Sequence, residues 1–123
     1  MKQKDDVFYL LLNTKANSFT KEFTRKIHSL LDIVEAHQGP TALVTVSLSK
    51  LFSGGLDLKY ISNLQDEDRR YFIMETITIF GRVSVLPFPT ICLVRGGAVA
   101  AGCMLAFSHD YVYVGGKAMF STN

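Results

Sequence analysis

Short apolar runs rich in β-formers alternate along this chain with longer segments of helical periodicity, and that alternation limits the fold more than any other feature. Val7 to Leu12 (VFYLLL), bounded by Asp5-Asp6 and Asn13-Thr14, predicts a buried strand. Phe19, Phe23, Ile27, Leu30, Leu31 and Val34 then recur at helical spacing up to about Gln38. Ser18 or Thr20 can cap that helix and Gly39-Pro40 can stop it. Ala42 to Val46 predicts a second strand. The loop Ser53-Gly54-Gly55-Leu56-Asp57 leads into a short helical patch around Leu58 to Ile61. Asp66-Glu67-Asp68 opens a further helix, as acids at a helix N-terminus suit its dipole. Phe72, Ile73, Ile77, Phe80 and Val83 are expected on one face of it, and Pro87 and Pro89 close it. Thr90 to Val94 is expected as a strand, Ala98 to Phe107 as an Ala-rich helix, Tyr111 to Val114 as a strand and Ala118 to Ser121 as an extended piece. Strands separated by helices pair in parallel, so the expectation is one α/β domain over residues 1–123.

The hydrophobic content of 48% against 20% charged residues excludes a disordered chain and supports a real core. The 13 Lys and Arg are scattered and the formal net charge is only +2, so no nucleic-acid partner and no polybasic membrane contact is expected. No apolar run reaches the roughly 18 residues of a membrane span. The N-terminus from Met1 to Asp6 has neither an apolar leader core nor the acid-poor composition of a mitochondrial presequence, so a start near Met1 is expected. Ser121-Thr122-Asn123 is not a peroxisomal address, and the stop at Asn123, inside an ordinary strand-to-loop transition, reads as the end of a fragment. Cys92 and Cys103 lie in apolar stretches without metal or redox spacing and are expected as inert core thiols.

The inventory of catalytic side chains is thin. GxSxG, HExxH and Walker patterns are missing, and no metal ligand set is expected. His28 reads as a solvated surface residue, His37 as a partner of a helix C-terminus, and His109 as half of a structural pair with Asp110. Two loops stand out instead. Phe52-Ser53-Gly54-Gly55-Leu56-Asp57 and Gly96-Gly97-Ala98-Val99-Ala100-Ala101-Gly102 each follow a strand, carry small residues and open a helix. Small residues let a ligand approach the backbone, and two helix starts converging on one point would offer N–H groups to a developing oxyanion. Both loops read equally well as plain tight turns. A dinucleotide site is disfavoured, because Gly96-x-Ala98-x-x-Ala101 lacks the second glycine of the fingerprint and no acid follows at the right distance.

Leu51-Phe52-Ser53-Gly54-Gly55-Leu56-Asp57-Leu58-Lys59 resembles the FSxGxDL segment of the crotonase (enoyl-CoA hydratase/isomerase) family. Pro89 to Cys103 (PTICLVRGGAVAAGC) resembles its second segment, and Ser108-His109-Asp110-Tyr111-Val112 and Ala118-Met119-Phe120 follow in the family's order. The pattern looks most like the plant-type and peroxisomal Δ3,Δ2-enoyl-CoA isomerases. The resemblance implies a ββα spiral, of which this chain would be the N-terminal half. It also implies an acyl-CoA substrate whose thioester oxygen is held by the backbone amides of Leu56 and Ala101, with Ser53, Gly54, Gly55, Asp57 and Gly96 forming the rest of the binding loops. Asp57 would brace its loop, not act as an acid. Met104 stands where the family's hydratases carry a glutamate, which argues against hydration. The single carboxylate of the isomerases would fall just past Asn123. No separate cofactor is implied, coenzyme A being part of the substrate. A homo-oligomer of trimer type or a larger assembly is implied, with a peroxisomal setting, or alternatively a cytoplasmic or mitochondrial one. A catalytically inactive acyl-CoA-binding or assembly subunit is the other reading.

Overall fold

A computed structural model of the chain describes residues 2–4 and 6–122. Met1, Asp5 and Asn123 lie outside the described residues, and with them one boundary of the first strand and the point after which a carboxylate is expected.

Among the described residues, seven strands and four helices follow one another as β1 (Lys2–Lys4), β2 (Val7–Leu12), α1 (Lys21–Glu35), β3 (Ala42–Ser47), α2 (Leu58–Ser62), α3 (Asp66–Ser84), β4 (Thr90–Val94), β5 (Gly97–Val99), α4 (Ala101–Phe107), β6 (Tyr111–Val114) and β7 (Met119–Ser121). The main sheet runs β1-β2-β3-β4-β6. Its last four strands are parallel, as expected of strands joined through helices, while β1 folds back antiparallel on β2. β1 itself (KQK) carries no apolar run, which is why the sequence does not announce it. A small parallel sheet of β5 and β7 stands apart.

Alternate residues of β2, β3 and β4 are buried, so Phe8, Leu10, Leu12, Leu43, Cys92 and Val94 build one side of the core. Thr20 caps α1 by accepting from the Phe23 amide, and Thr24, Ile27, Leu31 and Val34 form its buried stripe. The helix ends at Glu35, three residues short of the expected limit.

The face of α3 differs from expectation. Phe72, Thr76, Ile79, Phe80 and Val83 are buried, whereas Ile77 is exposed and Ile73 half-buried. Thr76 meets Thr24 of α1 (Oγ to Oγ 3.4 Å), and a small residue there lets the two helices approach closely. Arg82 of α3 then clasps α1 by ion pairs to Asp32 at 2.7 Å and Glu35 at 2.5 Å. His28 is not solvated: its Nε2 lies 2.7 Å from the Glu75 carbonyl and its Nδ1 2.8 Å from an Arg82 nitrogen. Ala98 and Val99, expected at the start of a helix running to Phe107, belong instead to β5, and α4 starts only at Ala101.

His109 is buried, and its expected partner is wrong in detail. Its Nδ1 donates to the Leu105 carbonyl (2.9 Å) and its Nε2 meets the Thr45 hydroxyl (2.7 Å), tying α4 to β3. Asp110 instead exchanges bonds with Thr90. Burial holds the His109 imidazole below its ordinary pKa. The unfolded chain therefore binds more protons than the folded one as pH drops below about 6.5. Unfolding by urea should show stability falling between pH 7 and pH 5, and His109→Gln should flatten that dependence.

Met104, Phe107, Tyr111, Tyr113, Val114 and Met119 are all exposed on α4, β6 and β7, and β6 pairs only with β4 among the described residues. So much apolar surface around an open strand edge favours association. Light scattering should find the purified chain self-associated and binding a hydrophobic dye; a monodisperse, dye-silent monomer would contradict this.

Candidate acyl-thioester site

The two small-residue loops run side by side. The Phe52 and Ser53 amides both donate to the Gly97 carbonyl (2.9 and 3.2 Å), and the Val99 amide donates to the Ser53 carbonyl (2.9 Å). This contact is possible only where side chains are missing. A Cβ on Gly102 would lie 2.5 Å from the Ser53 carbonyl oxygen. On Gly55, whose φ is +83°, it would lie 2.6 Å from the Val99 carbonyl oxygen and 3.3 Å from the Ala101 nitrogen. Any side chain at Gly55 would thus be driven against the Ala101 amide.

Leu56 follows Gly55 directly. Phe19 pairs with it across an isolated bridge, donating to the Gly55 carbonyl (2.8 Å) and accepting from the Asp57 amide (3.1 Å). Those bonds use the groups on one side of the strand and leave the Leu56 N–H pointing away, without an acceptor among the described residues. The Ala101 N–H, first in α4, is likewise without one. Its orientation depends on Ala100, which sits at φ 48°, ψ −111°, a region an L-residue rarely occupies, and is held there by its own amide bonding the Ser121 carbonyl (2.6 Å). The structure therefore brings Gly55, Leu56 and Ala101 together, with two neighbouring unpartnered amides.

The other expected site residues lie elsewhere in the same double loop. The Ser53 hydroxyl is buried and engaged inside the protein, donating to the Asn17 carbonyl (2.8 Å) and accepting from the Gly55 amide (3.2 Å). The Gly54 amide donates to the Ala16 carbonyl (2.8 Å). Asp57 caps α2 by accepting from the Tyr60 amide (3.0 Å). Gly96 sits at the far end of the loop pair, its carbonyl accepting from Met119 (3.4 Å). Met104 is exposed on α4. Both thiols are buried, and burial pushes Cys92 up to about 12, so it stays an inert thiol.

Sequence reasoning missed Asn17. It is wholly buried at φ 48°, and its amide nitrogen reaches the Ser47 hydroxyl (2.9 Å) and the carbonyls of Leu51 (3.3 Å) and Phe52 (3.0 Å). Its side-chain oxygen accepts from both the amide and the hydroxyl of Thr14. One side chain thereby fixes the start of the first loop. The only hint in the sequence is an Asn in a polar stretch, the residue type that best tolerates a left-handed conformation.

With that geometry in hand, comparison with known proteins is informative. Residues 2–123 match the enoyl-CoA hydratase/isomerase family. The chain belongs to that family. It is 41% identical over 78 residues to enoyl-CoA delta isomerase 1, peroxisomal, of Arabidopsis thaliana, covering 58% of this chain and 30% of that protein. Enoyl-CoA delta isomerase 2, peroxisomal, of the same plant is 30% identical over 121 residues, covering 93% and 50%. The crystal structure of an enoyl-CoA hydratase from Mycobacterium smegmatis superposes with a TM-score of 0.91 over 97% of this chain and 48% of that one, at 24% identity. This confirms the crotonase fold. The chain spans half or less of the length of the curated relatives it matches.

Asn17→Ala should leave several buried acceptors without a donor and cost about 2–4 kcal/mol in urea unfolding. Ala100→Gly should instead stabilise the chain by about 0.5–1 kcal/mol, because it releases a positive-φ residue. Equal destabilisation by both would mean that Ala100 is not strained.

Proposed function

We propose that the chain supplies the thioester-polarising loops of an enoyl-CoA isomerase, moving a 3-enoyl-CoA double bond to the trans-2 position in unsaturated fatty-acid β-oxidation. The observation that carries this reading is the pair of unpartnered amides of Leu56 and Ala101, set against each other at Gly55. A thioester oxygen accepting from both would gain negative charge more easily, which acidifies the protons at C2 and stabilises the enolate formed when one is removed. Backbone donors need no particular side chain, so Leu56 and Ala101 suit the task as they stand. Returning the proton at C4 completes the shift. The carboxylate that carries the proton is assigned to sequence beyond Asn123. Met104 offers no acid–base function, which favours isomerisation over hydration. The likeness to two peroxisomal plant isomerases supports a peroxisomal setting.

A second reading has an observation of its own. The one carboxylate beside the amide pair in sequence, Asp57, is engaged as a helix cap. Acyl-CoA binding without turnover, as an inactive or assembly subunit, is compatible with that.

Raman spectroscopy of bound crotonyl-CoA separates the site from mere adsorption. The carbonyl stretch should move to lower frequency on binding. Ala101→Pro, which deletes an N–H at a helix position that tolerates proline, should abolish that shift and lower acyl-CoA turnover by about a hundredfold or more wherever turnover occurs. Hydration of crotonyl-CoA by the chain should be undetectable. An unshifted carbonyl in the parent protein would sink the oxyanion reading, and brisk hydration would sink the isomerase assignment.

A further inference from the structure

Between α1, α2 and α3 lies a cleft of about 240 Å³. Its floor is apolar. Phe72 is buried in the core, Leu64 and Tyr60 pack partly buried against it, and the Tyr60 ring stands edge-on to Phe72 at 5.1 Å. The walls are charged, and with opposite signs. Lys21 and Arg25 stand one turn apart on α1, while Asp68 and Glu75 stand two turns apart on α3.

These charges do not cancel one another. Among the described residues Lys21, Arg25 and Asp68 form no ion pair, and Glu75 reaches only His28, at 3.8 Å. Both helices do form pairs elsewhere: Lys26 meets Glu22 on α1 at 3.3 Å, and Arg69 meets Asp66 on α3 at 2.7 Å. Across the cleft, therefore, the two walls stand beyond the reach of a direct ion pair. A simple anion there would gain at Lys21 and Arg25 but lose at Asp68 and Glu75, and a simple cation the reverse. A molecule carrying both signs gains on both walls. The floor adds a second requirement, because covering Leu64, Phe72 and the Tyr60 ring is favourable only for an apolar body. The volume lies below the range of about 300–1,000 Å³ usual for drug-sized ligands, so that body is short.

We propose that the cleft binds a small zwitterion with an apolar body, of the class of the free aliphatic amino acids. The carboxylate faces Lys21 and Arg25, the ammonium faces Asp68 and Glu75, and the side chain lies on Leu64, Phe72 and Tyr60. The site does not depend on the isomerase reading, since none of these residues belongs to the amide pair.

L-Leucine is the probe, observed by saturation-transfer NMR, which reads weak binding whatever the association state of the protein. A dissociation constant of about 1 mM or tighter is expected for a ligand of this size. 4-Methylpentanoate lacks the ammonium and 3-methylbutylamine lacks the carboxylate. Each should bind about tenfold more weakly than leucine or worse. Arg25→Gln/Asp68→Asn removes one charge from each wall at constant net charge and should weaken leucine binding about fivefold or more. Lys26→Gln/Glu67→Gln makes the same changes at exposed positions that do not line the cleft, and should alter binding by less than about twofold. No saturation transfer to leucine at about 10 mM, ten times the expected constant, overturns the proposal. So does equal binding of either singly charged analogue, or equal weakening by the two double variants.

Discussion

The Asn17 side chain ties the stretch after β2 to the end of β3 and to the Leu51–Phe52 turn. Its amide nitrogen faces the Ser47 hydroxyl and two carbonyls of the Leu51–Phe52 turn, its side-chain oxygen accepts from Thr14, and the backbone carbonyl of the same residue receives the Ser53 hydroxyl. Ser53 in turn receives the Gly55 amide, so a chain of hydrogen bonds runs from the end of β2 to the residue before Leu56. All of this is buried, where an unmatched polar group is costly and a matched network is stiff. The first loop is therefore rigid for a reason that lies outside the loop, about thirty-five residues earlier in the chain.

Rigidity is what the proposed chemistry requires of a backbone donor. An N–H that must reorient to meet a forming oxyanion loses much of its advantage, whereas one already aimed does not. On the Leu56 side the aim comes from Phe19, which takes up the flanking carbonyl and amide and leaves the N–H between them unmatched. On the Ala101 side it comes from an unfavourable torsion at Ala100, held by the Ser121 carbonyl. The two donors are thus positioned by opposite means, one by satisfied bonding and one by strain. Gly55 and Gly102 make the arrangement compact enough for the donors to be neighbours.

How much of this the sequence reveals depends on how local the cause is. The strands of the main sheet are legible because burial on alternate faces gives apolar runs such as VFYLLL and TICLV. The start of α1 is legible because Thr20 caps it through its own side chain. The buried face of α3 is not, since that helix carries apolar residues on several sides, and only its packing on α1 selects Thr76 and Ile79 over Ile77. Ala98 and Val99 look helical from the small residues around them, but pairing with β7 about twenty residues later makes them part of a strand. Small-residue loops mark the neighbourhood of the site, while Asn17 and Ala100 leave almost no trace. A buried hydrogen-bond hub and a strained torsion are properties of the assembled fold.

One consequence links the two ends of the double loop. Gly96 lies so close to the loop after β3 that an added Cβ would fall 1.8 Å from the Lys50 carbonyl oxygen, just as one at Gly55 would fall onto Val99. Two close approaches between the same pair of loops, one at each end, therefore set the spacing of the amide pair and the placement of Lys50 beside Gly96. A change that pries the loops apart at one end has to be transmitted to the other, because the bonds from Phe52, Ser53 and Val99 lie between them.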